Sequence, residues 1–389
     1  MDYRAQLAAR VAEIAPFHVM EVQTAARALE AQGRSIVHME IGEPDFPTPA
    51  PVIAAAQAAI ASGNIYYTSA LGLPELRAAI ARHYADHYGA SVSADRVIVT
   101  AGSSAALLLV MALLVDRDES ILLADPGYPC TRQFVRVLEG MPRAIPVGPE
   151  SNYQLTAQLV ERHWSPTTRG VLIASPSNPT GTEVPAQEMQ RIAATVAARG
   201  GRFIVDEIYL GLTYQGEPRS ALALADDAFV ISSFSKYFNM TGWRLGWIVA
   251  PERHVRDLEK LAQNLYISPP TPSQLAALAC FTPATHDIVE QRRRAFRERR
   301  DFLVPALREL GFRIPVTPTG GFFVYADCSA FAEDSATFCR DVLDGAGVAI
   351  TPGIDFGVHR ASAHVRLSYT VGMEKLQEGI HRLRRFLDR

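Results

Sequence analysis

From about residue 95 to residue 250 the chain repeats one theme. A short run of β-branched or aliphatic residues is followed by a longer stretch with helical spacing. The runs are RVIVT (96–100), SILLA (120–124), RAIPV (143–147), GVLIAS (170–175), RFIVD (202–206), FVISS (229–233) and GWIVA (246–250). Helical patterns fill most of the intervals, among them 103–115, 154–163 and 186–199. Strands that are apolar throughout must bury both faces, and intervening helices make neighbouring strands parallel. A loop, not a helix, joins the last two runs, which allows one antiparallel member. The pattern predicts an α/β fold: a mostly parallel sheet of roughly seven strands, covered by helices.

A chain of 389 residues is longer than a single core usually supports, so a second domain is expected. Residues 46–284 are read as the large domain and 285–389 as a smaller C-terminal one. The latter holds a long charged helix, IVEQRRRAFRERRDFLVPALREL, then GGFFVYAD, a second helix, GVAITPG, HVRLSY and a final helix. Residues 1–45, with a helical stretch at 19–32 followed by IVHMEIGEPDFPTP, are expected to join it. The smaller unit is therefore read as α+β and built from both termini.

The formal net charge of -3 gives no basic excess for nucleic acid or an anionic membrane surface. No apolar run is long enough to span a bilayer. The first residues, MDYRAQLAARVAEIAPF, are charged and broken by Pro16, so no signal peptide is expected. Cys130, Cys280, Cys328 and Cys339 are scattered and form no CxxC pair, which argues against a zinc site or a disulfide framework. A cytoplasmic enzyme without a metal is the expected setting. His83 and His87 lie one helical turn apart but lack the glutamate of HExxH, so they read as a solvated helix face. Gly345-Ala-Gly347 follows a helix and lacks a third glycine, so it is no dinucleotide turn. The arginines 292–294, 297, 299 and 300 are diluted by Glu290 and Glu298 and read as a charged helix face.

Ligands of open α/β sheets bind beyond the carboxyl ends of the strands, so the loops there carry the functional reading. AGSSAAL (101–107) opens a helix whose amides suit a phosphate, although Ser103 or Ser104 could simply cap it. Asp206 ends a buried strand and needs a cationic partner or several donors; it meets a protonated pyridine nitrogen, or it makes a structural ion pair or caps a helix. Tyr209, one turn later, reaches the same place or packs under the sheet. Asn178, between two prolines, is either a turn residue or an amide donating to a phenolate oxygen. Tyr128 in DPGYP stacks on a flat cofactor or anchors its turn. Lys236 closes the run FVISSFSK, beside Ser233 and Ser235, with Arg244 further along.

The stretch Ser233-Phe-Ser-Lys236, followed by Met240-Thr-Gly-Trp-Arg244-Leu-Gly246, resembles the lysine motif of class I pyridoxal-phosphate aminotransferases, the fold-type-I enzymes of the aspartate aminotransferase superfamily. The likeness extends, in the family's order, to IGEPDFPTP, YYTSALGLPELR, DPGYP, SPSNPTG, VDEIY and HVRLSY, and so covers nearly the whole chain. The resemblance implies pyridoxal 5'-phosphate as cofactor. It implies that Lys236 bonds the cofactor aldehyde and that Asp206 pairs with the pyridine N–H. Asn178 and Tyr209 would bond the ring oxygen, and Tyr128 would stack on the ring. Gly102, Ser103, Ser104, Ser233 and Arg244 would hold the phosphate. Tyr67 would reach the phosphate in a neighbouring subunit, which requires a homodimer. Arg366 would clamp the substrate α-carboxylate, since its planar fork matches a carboxylate, with Gly42 and Asn178 assisting.

The implied reaction is ping-pong transfer of an amino group from an amino acid to a 2-oxo acid, with Lys236 as general base and acid. A cysteine β-lyase on the same fold would keep most of these residues. A non-catalytic regulator on this fold would be expected to have lost Lys236, Asp206 or Arg366, and all three are present. Family members that favour dicarboxylates are expected to carry a lysine near position 104, where this chain has Ser104. Phe17 and Tyr66 are read as walls of an apolar pocket. A neutral aliphatic, aromatic or sulfur-containing substrate is expected, with 2-oxoglutarate or pyruvate as acceptor.

Overall fold

The computed structural model describes residues 7–388; the first six residues of the N-terminal segment and Arg389 lie outside the described residues. Strand β1 is the two-residue Val37–His38. The repeating region gives β2 (Val97–Thr100), β3 (Ser120–Asp125), β4 (Met141–Pro146), β5 (Thr168–Ala174), β6 (Arg202–Asp206), β7 (Phe229–Ser233) and β8 (Gly246–Val249). These seven form one sheet in the order β2-β8-β7-β6-β5-β3-β4. The strand β8 runs antiparallel to both β2 and β7, while the β3–β4, β3–β5, β5–β6 and β6–β7 pairs are parallel. Both the strand count and the single reversed strand match the sequence reading.

Burial on both faces explains the unbroken apolar runs. In β2, Val97 and Val99 point into one core and Ile98 into another. In β7, Val230 joins the first core, and Phe229 and Ile231 join the second. The helix Ser103–Leu114 closes over the second face with Leu107, Val110 and Met111. Two local readings shift. The helix foreseen from 154 starts at Ala157, because the Thr156 hydroxyl caps it by accepting from Leu159 N–H. Gln154 instead turns inward, and its amide donates to the carbonyls of Ala174 and Thr182. Straight after DPGYP a helix forms at Pro129–Val137, with the proline at its first turn, where no amide donor is needed.

The remaining strands are β9 (Phe323–Asp327), β10 (Val348–Ala349), β11 (Thr351–Pro352) and β12 (His364–Ser368). An antiparallel sheet runs β11-β12-β9, and β1 from the N-terminal segment pairs in parallel with β10. Helices Pro283–Glu309, Ser335–Ala346 and Met373–Leu387 belong to the same C-terminal part of the chain.

Two expected solvated faces are corrected here. His83 is buried, with its ring packed against His87, Tyr88, Phe238 and Phe281. Burial pulls its imidazole down to about 3, so it stays neutral. The arginine-rich helix is a free face only in part: Arg294 and Arg297 are exposed as expected, but two others are not. Buried Arg299 makes a two-pronged pair with Asp45 at 2.8 and 3.0 Å and bonds Thr370 O, and buried Arg300 reaches Pro318 O. The charges tie this helix to the rest of the molecule. No helix of the described residues is long and apolar enough to cross a membrane, and no group of three metal-ligating side chains occurs among them.

Candidate active site

A cavity of about 260 Å³ opens at the carboxyl ends of the central strands, where the topology places ligands. Ala174 ends β5 and Asp206 ends β6, and both line it. Asn178, Tyr209 and Tyr128 join them. The Asp206 carboxylate is 6% exposed and accepts from Ile208 N–H at 3.1 Å. No cation lies within ion-pair distance of it among the described residues. Burial therefore raises its pKa to about 6, opposed by the Ile208 amide and by the charge of Lys236. Among the described residues Asp206 makes no ion pair, and its bond from Ile208 N–H is a local cap of the following turn.

Lys236 follows β7 after a short turn, and its Nζ donates to the Gly42 carbonyl at 2.6 Å. Burial lowers the ammonium to about 8; Glu43 opposes the shift, while Arg366 and Arg244 add to it. The chain has three lysines. Lys260 and Lys375 are largely exposed and paired with Asp257 and Glu378, so only Lys236 is enclosed. An amine with this pKa is partly unprotonated near neutrality, as a nucleophile or general base requires.

At one end of the cavity are Ser103 and Ser104, in the first turn of their helix, together with Arg244. Gly102 precedes that helix at φ +85, and a Cβ there would come within 2.8 Å of Arg244 Nη2. Glycine is needed both for the left-handed backbone and for the guanidinium's approach. Arg244 donates to Thr241 O at 3.0 Å and has no carboxylate within ion-pair distance among the described residues. Helix amides, two hydroxyls and an unpaired guanidinium make an anion site.

Arg366, from β12, lines the cavity together with Gly42 and Phe17. Its Nη1 donates to Asn178 Oδ1 at 3.1 Å, and its Nη2 donates to the Glu40 carbonyl and, at 3.3 Å, to Thr351 Oγ1. The Phe323 and Phe356 rings hold the guanidinium at 4.3 and 4.8 Å. Burial lowers its pKa to about 10, which leaves it charged. The Asn178 oxygen is thus occupied, and its NH₂ is the half left for a ligand.

Ser233, Tyr66 and Tyr67 lie outside the lining of this cavity, and for Tyr67 the expected place is a neighbouring subunit's site. The Ser233 hydroxyl points into the turn, donating to Leu245 O at 3.0 Å and accepting from Ser235 N–H at 3.0 Å. Ser235 lines the cavity in its place. Tyr66, read as a pocket wall, is 74% exposed and does not line this cavity, and neither does Tyr67, 80% exposed. Tyr209 lines the site and also packs edge-on against Phe322 and Phe323, so its two readings coexist. Glu43, Ile208 and Phe323 were not singled out, although IGEPDF, VDEIY and GGFFVYAD contain them. Only the fold shows that they face inward.

The family described as "Aminotransferase class I and II" matches residues 34–383. A valine–pyruvate aminotransferase of Mycobacterium tuberculosis is 40% identical over 96% of this chain and 96% of its own length. An arginine–pyruvate transaminase of Pseudomonas aeruginosa is 32% identical over 93% of both. The crystal structure of an aminotransferase from Mycobacterium tuberculosis superposes with a TM-score of 0.94 at 40% identity, covering 98% of this chain and 99% of that one. The chain belongs to the class I and II aminotransferases and is an aminotransferase.

Proposed function

We propose that this aminotransferase uses pyridoxal 5'-phosphate to move an α-amino group from a neutral amino acid to pyruvate or 2-oxoglutarate by a ping-pong route. The observation that carries the reading is one cavity holding an enclosed lysine and a buried carboxylate, flanked by two arginines, with neither the carboxylate nor either arginine in an ion pair among the described residues. These residues fit the cofactor. Asp206 suits a protonated pyridine nitrogen, whose charge would hold the carboxylate ionised. Ser103, Ser104 and Arg244 suit the phosphate dianion, with the Gly102 backbone allowing close approach. Asn178 and Tyr209 offer donors to the ring oxygen, and Tyr128 offers a ring face. The bound cofactor supplies an electron sink for the substrate's Cα.

Lys236 would hold the cofactor by its aldehyde. Its Nζ, once free of that link, would be the group that carries a proton to and from the substrate Cα. The depressed pKa suits both roles. Arg366 holds the α-carboxylate, and this orients the Cα–H bond toward Nζ. The second half-reaction runs the same groups in reverse with an oxo acid.

The lining favours a neutral side chain. Phe17, Val19, Met20, Ile41, Ile208 and Phe323 are apolar, and Lys236, Arg244 and Arg366 each have a role already. Ser104 offers no charge to a second carboxylate. The similarity to a valine–pyruvate enzyme points the same way. The proposal includes a homodimer in the cytoplasm, in which exposed Tyr67 serves the neighbouring subunit's phosphate site. It also includes a large domain at 46–284 and a small one at 285–389 joined by residues 1–45.

The test is the holoenzyme mixed with valine, leucine, methionine, phenylalanine or aspartate, with cofactor absorbance and oxo acid both followed. Conversion to the aminated cofactor with equimolar oxo acid, faster for neutral donors than for aspartate, is expected. Aspartate as the preferred donor would overturn the substrate assignment. Ammonia and pyruvate released from cysteine would make the chain a lyase.

A further inference from the structure

Arg366 and its surroundings pose a question of charge. Its guanidinium is 3% exposed, and its Nε has no hydrogen-bond partner. Its nearest anchors are neutral: a carbonyl, an amide oxygen and a hydroxyl. Yet the carbonyl it grips belongs to Glu40, whose own carboxylate is fully buried. A carboxylate carried by a residue in contact with a guanidinium would ordinarily close onto it, because burial strengthens the attraction and leaves no water to compete. Glu40 does not. Its Oε1 bonds His38 Nδ1 at 2.8 Å, and its Oε2 has no partner at all.

We propose that His38 is a positioning residue for substrate binding: it holds the Glu40 carboxylate away from Arg366, leaving the guanidinium free for the substrate's α-carboxylate. The inference rests on the reading of Arg366 as the carboxylate clamp. His38 is equipped for the task. Its Nε2 bonds Glu30 Oε1 at 3.1 Å, so each ring nitrogen faces a carboxylate and both donate, which makes the ring an imidazolium. The bond to Glu40 is the main cause raising its pKa to about 9, against the opposing effect of burial, with Glu30 adding to the rise. The bridging charge is therefore fully present below about pH 6.5 and is lost as pH climbs through about 9.

The other elements around His38 do not supply that charge. Strand β10, its partner, contributes Val348 and Ala349. Helix Met373–Leu387 contributes Arg382, bound to Ser35 O and paired with Glu378. Helix His18–Ala31 contributes Glu30 itself. On the far side of Arg366, Asp355 accepts from the His18 and Val19 amides. Asp355 and Glu40 both act on the Arg366 charge, and Glu40 is the one of the two that is bonded to the imidazolium.

The experiment measures competitive inhibition of the holoenzyme by 3-methylbutanoate, a carboxylate without an amino group, from pH 7 to 10. Wild type should bind it less well as pH passes about 9. Glu40→Gln keeps the anchoring carbonyl and should show a smaller decline, the part left being the loss of Arg366's own charge toward pH 10. His38→Gln should weaken binding about tenfold at pH 7.5 with cofactor content unchanged, and adding Glu40→Gln should restore it. A decline in Glu40→Gln as large as that of wild type overturns the inference, as does a double variant no tighter than His38→Gln. If Arg366→Leu loses the inhibitor while His38→Gln binds it as wild type does, the inference fails and the clamp stands. If Arg366→Leu binds it undiminished, the clamp reading itself fails.

Discussion

The two ends of the active cavity are built in opposite ways. The cofactor end comes from the carboxyl ends of strands of one sheet and the short loops that leave them: Ser103 and Ser104 after β2, Asp206 at the end of β6, Lys236 after β7. Its chemistry is local. A few residues beyond each strand carry the charge, and the sheet brings them together. The substrate end is assembled from distant pieces. Arg366 on β12 is held by Glu40, which follows β1, by Asn178, and by Thr351 on β11. The first end is a rigid fixture of the central sheet, whereas the second depends on the two termini meeting through β1 and β10. A change at the first should damage chemistry, and a change at the second should damage substrate capture.

Asp206→Ala breaks the comparison at its strongest point. On the proposed assignment Asp206 would keep the pyridine nitrogen protonated, so without it kcat should fall about a thousandfold. Stopped-flow measurement of substrate Cα deprotonation with deuterated donor checks this, since the loss should fall in that step. Arg366→Leu should act the other way. Losing a buried two-pronged partner for the α-carboxylate should raise KM about a hundredfold, with a smaller change in kcat and full cofactor content. If Asp206→Ala changed mainly KM and Arg366→Leu mainly the deprotonation step, the division of labour would be wrong.

The same contrast explains what could be read without coordinates. The central sheet and the reversed β8 are legible because strands buried on both faces are apolar throughout, a local property that all but the half-exposed edge strand β4 share. The cofactor end is legible for a related reason: its residues follow those strands directly. Where neighbours decide, the residues are silent. His83 reads as solvated because nothing in RHYADHYG announces Phe238 and Phe281, which enclose it. Arg299 reads as a surface charge because Asp45 is far away in sequence. The exchange of Ser233 for Ser235 turns on a single hydroxyl captured by Leu245 O. The His38–Glu40 pair has no motif, and its meaning appears only when Arg366 arrives from the other end of the chain.

The central claim is that Lys236 is the covalent anchor and proton carrier. The holoenzyme should be reduced with borohydride, digested and mapped by mass spectrometry. Because the chain has three lysines, the assignment is unambiguous. The account predicts the reduced cofactor on Lys236 alone, and no trapped label in Lys236→Ala, which should still bind the cofactor but not turn over. A label on Lys260 or Lys375, or a Lys236→Ala enzyme that still transfers amino groups at the wild-type rate, would contradict it.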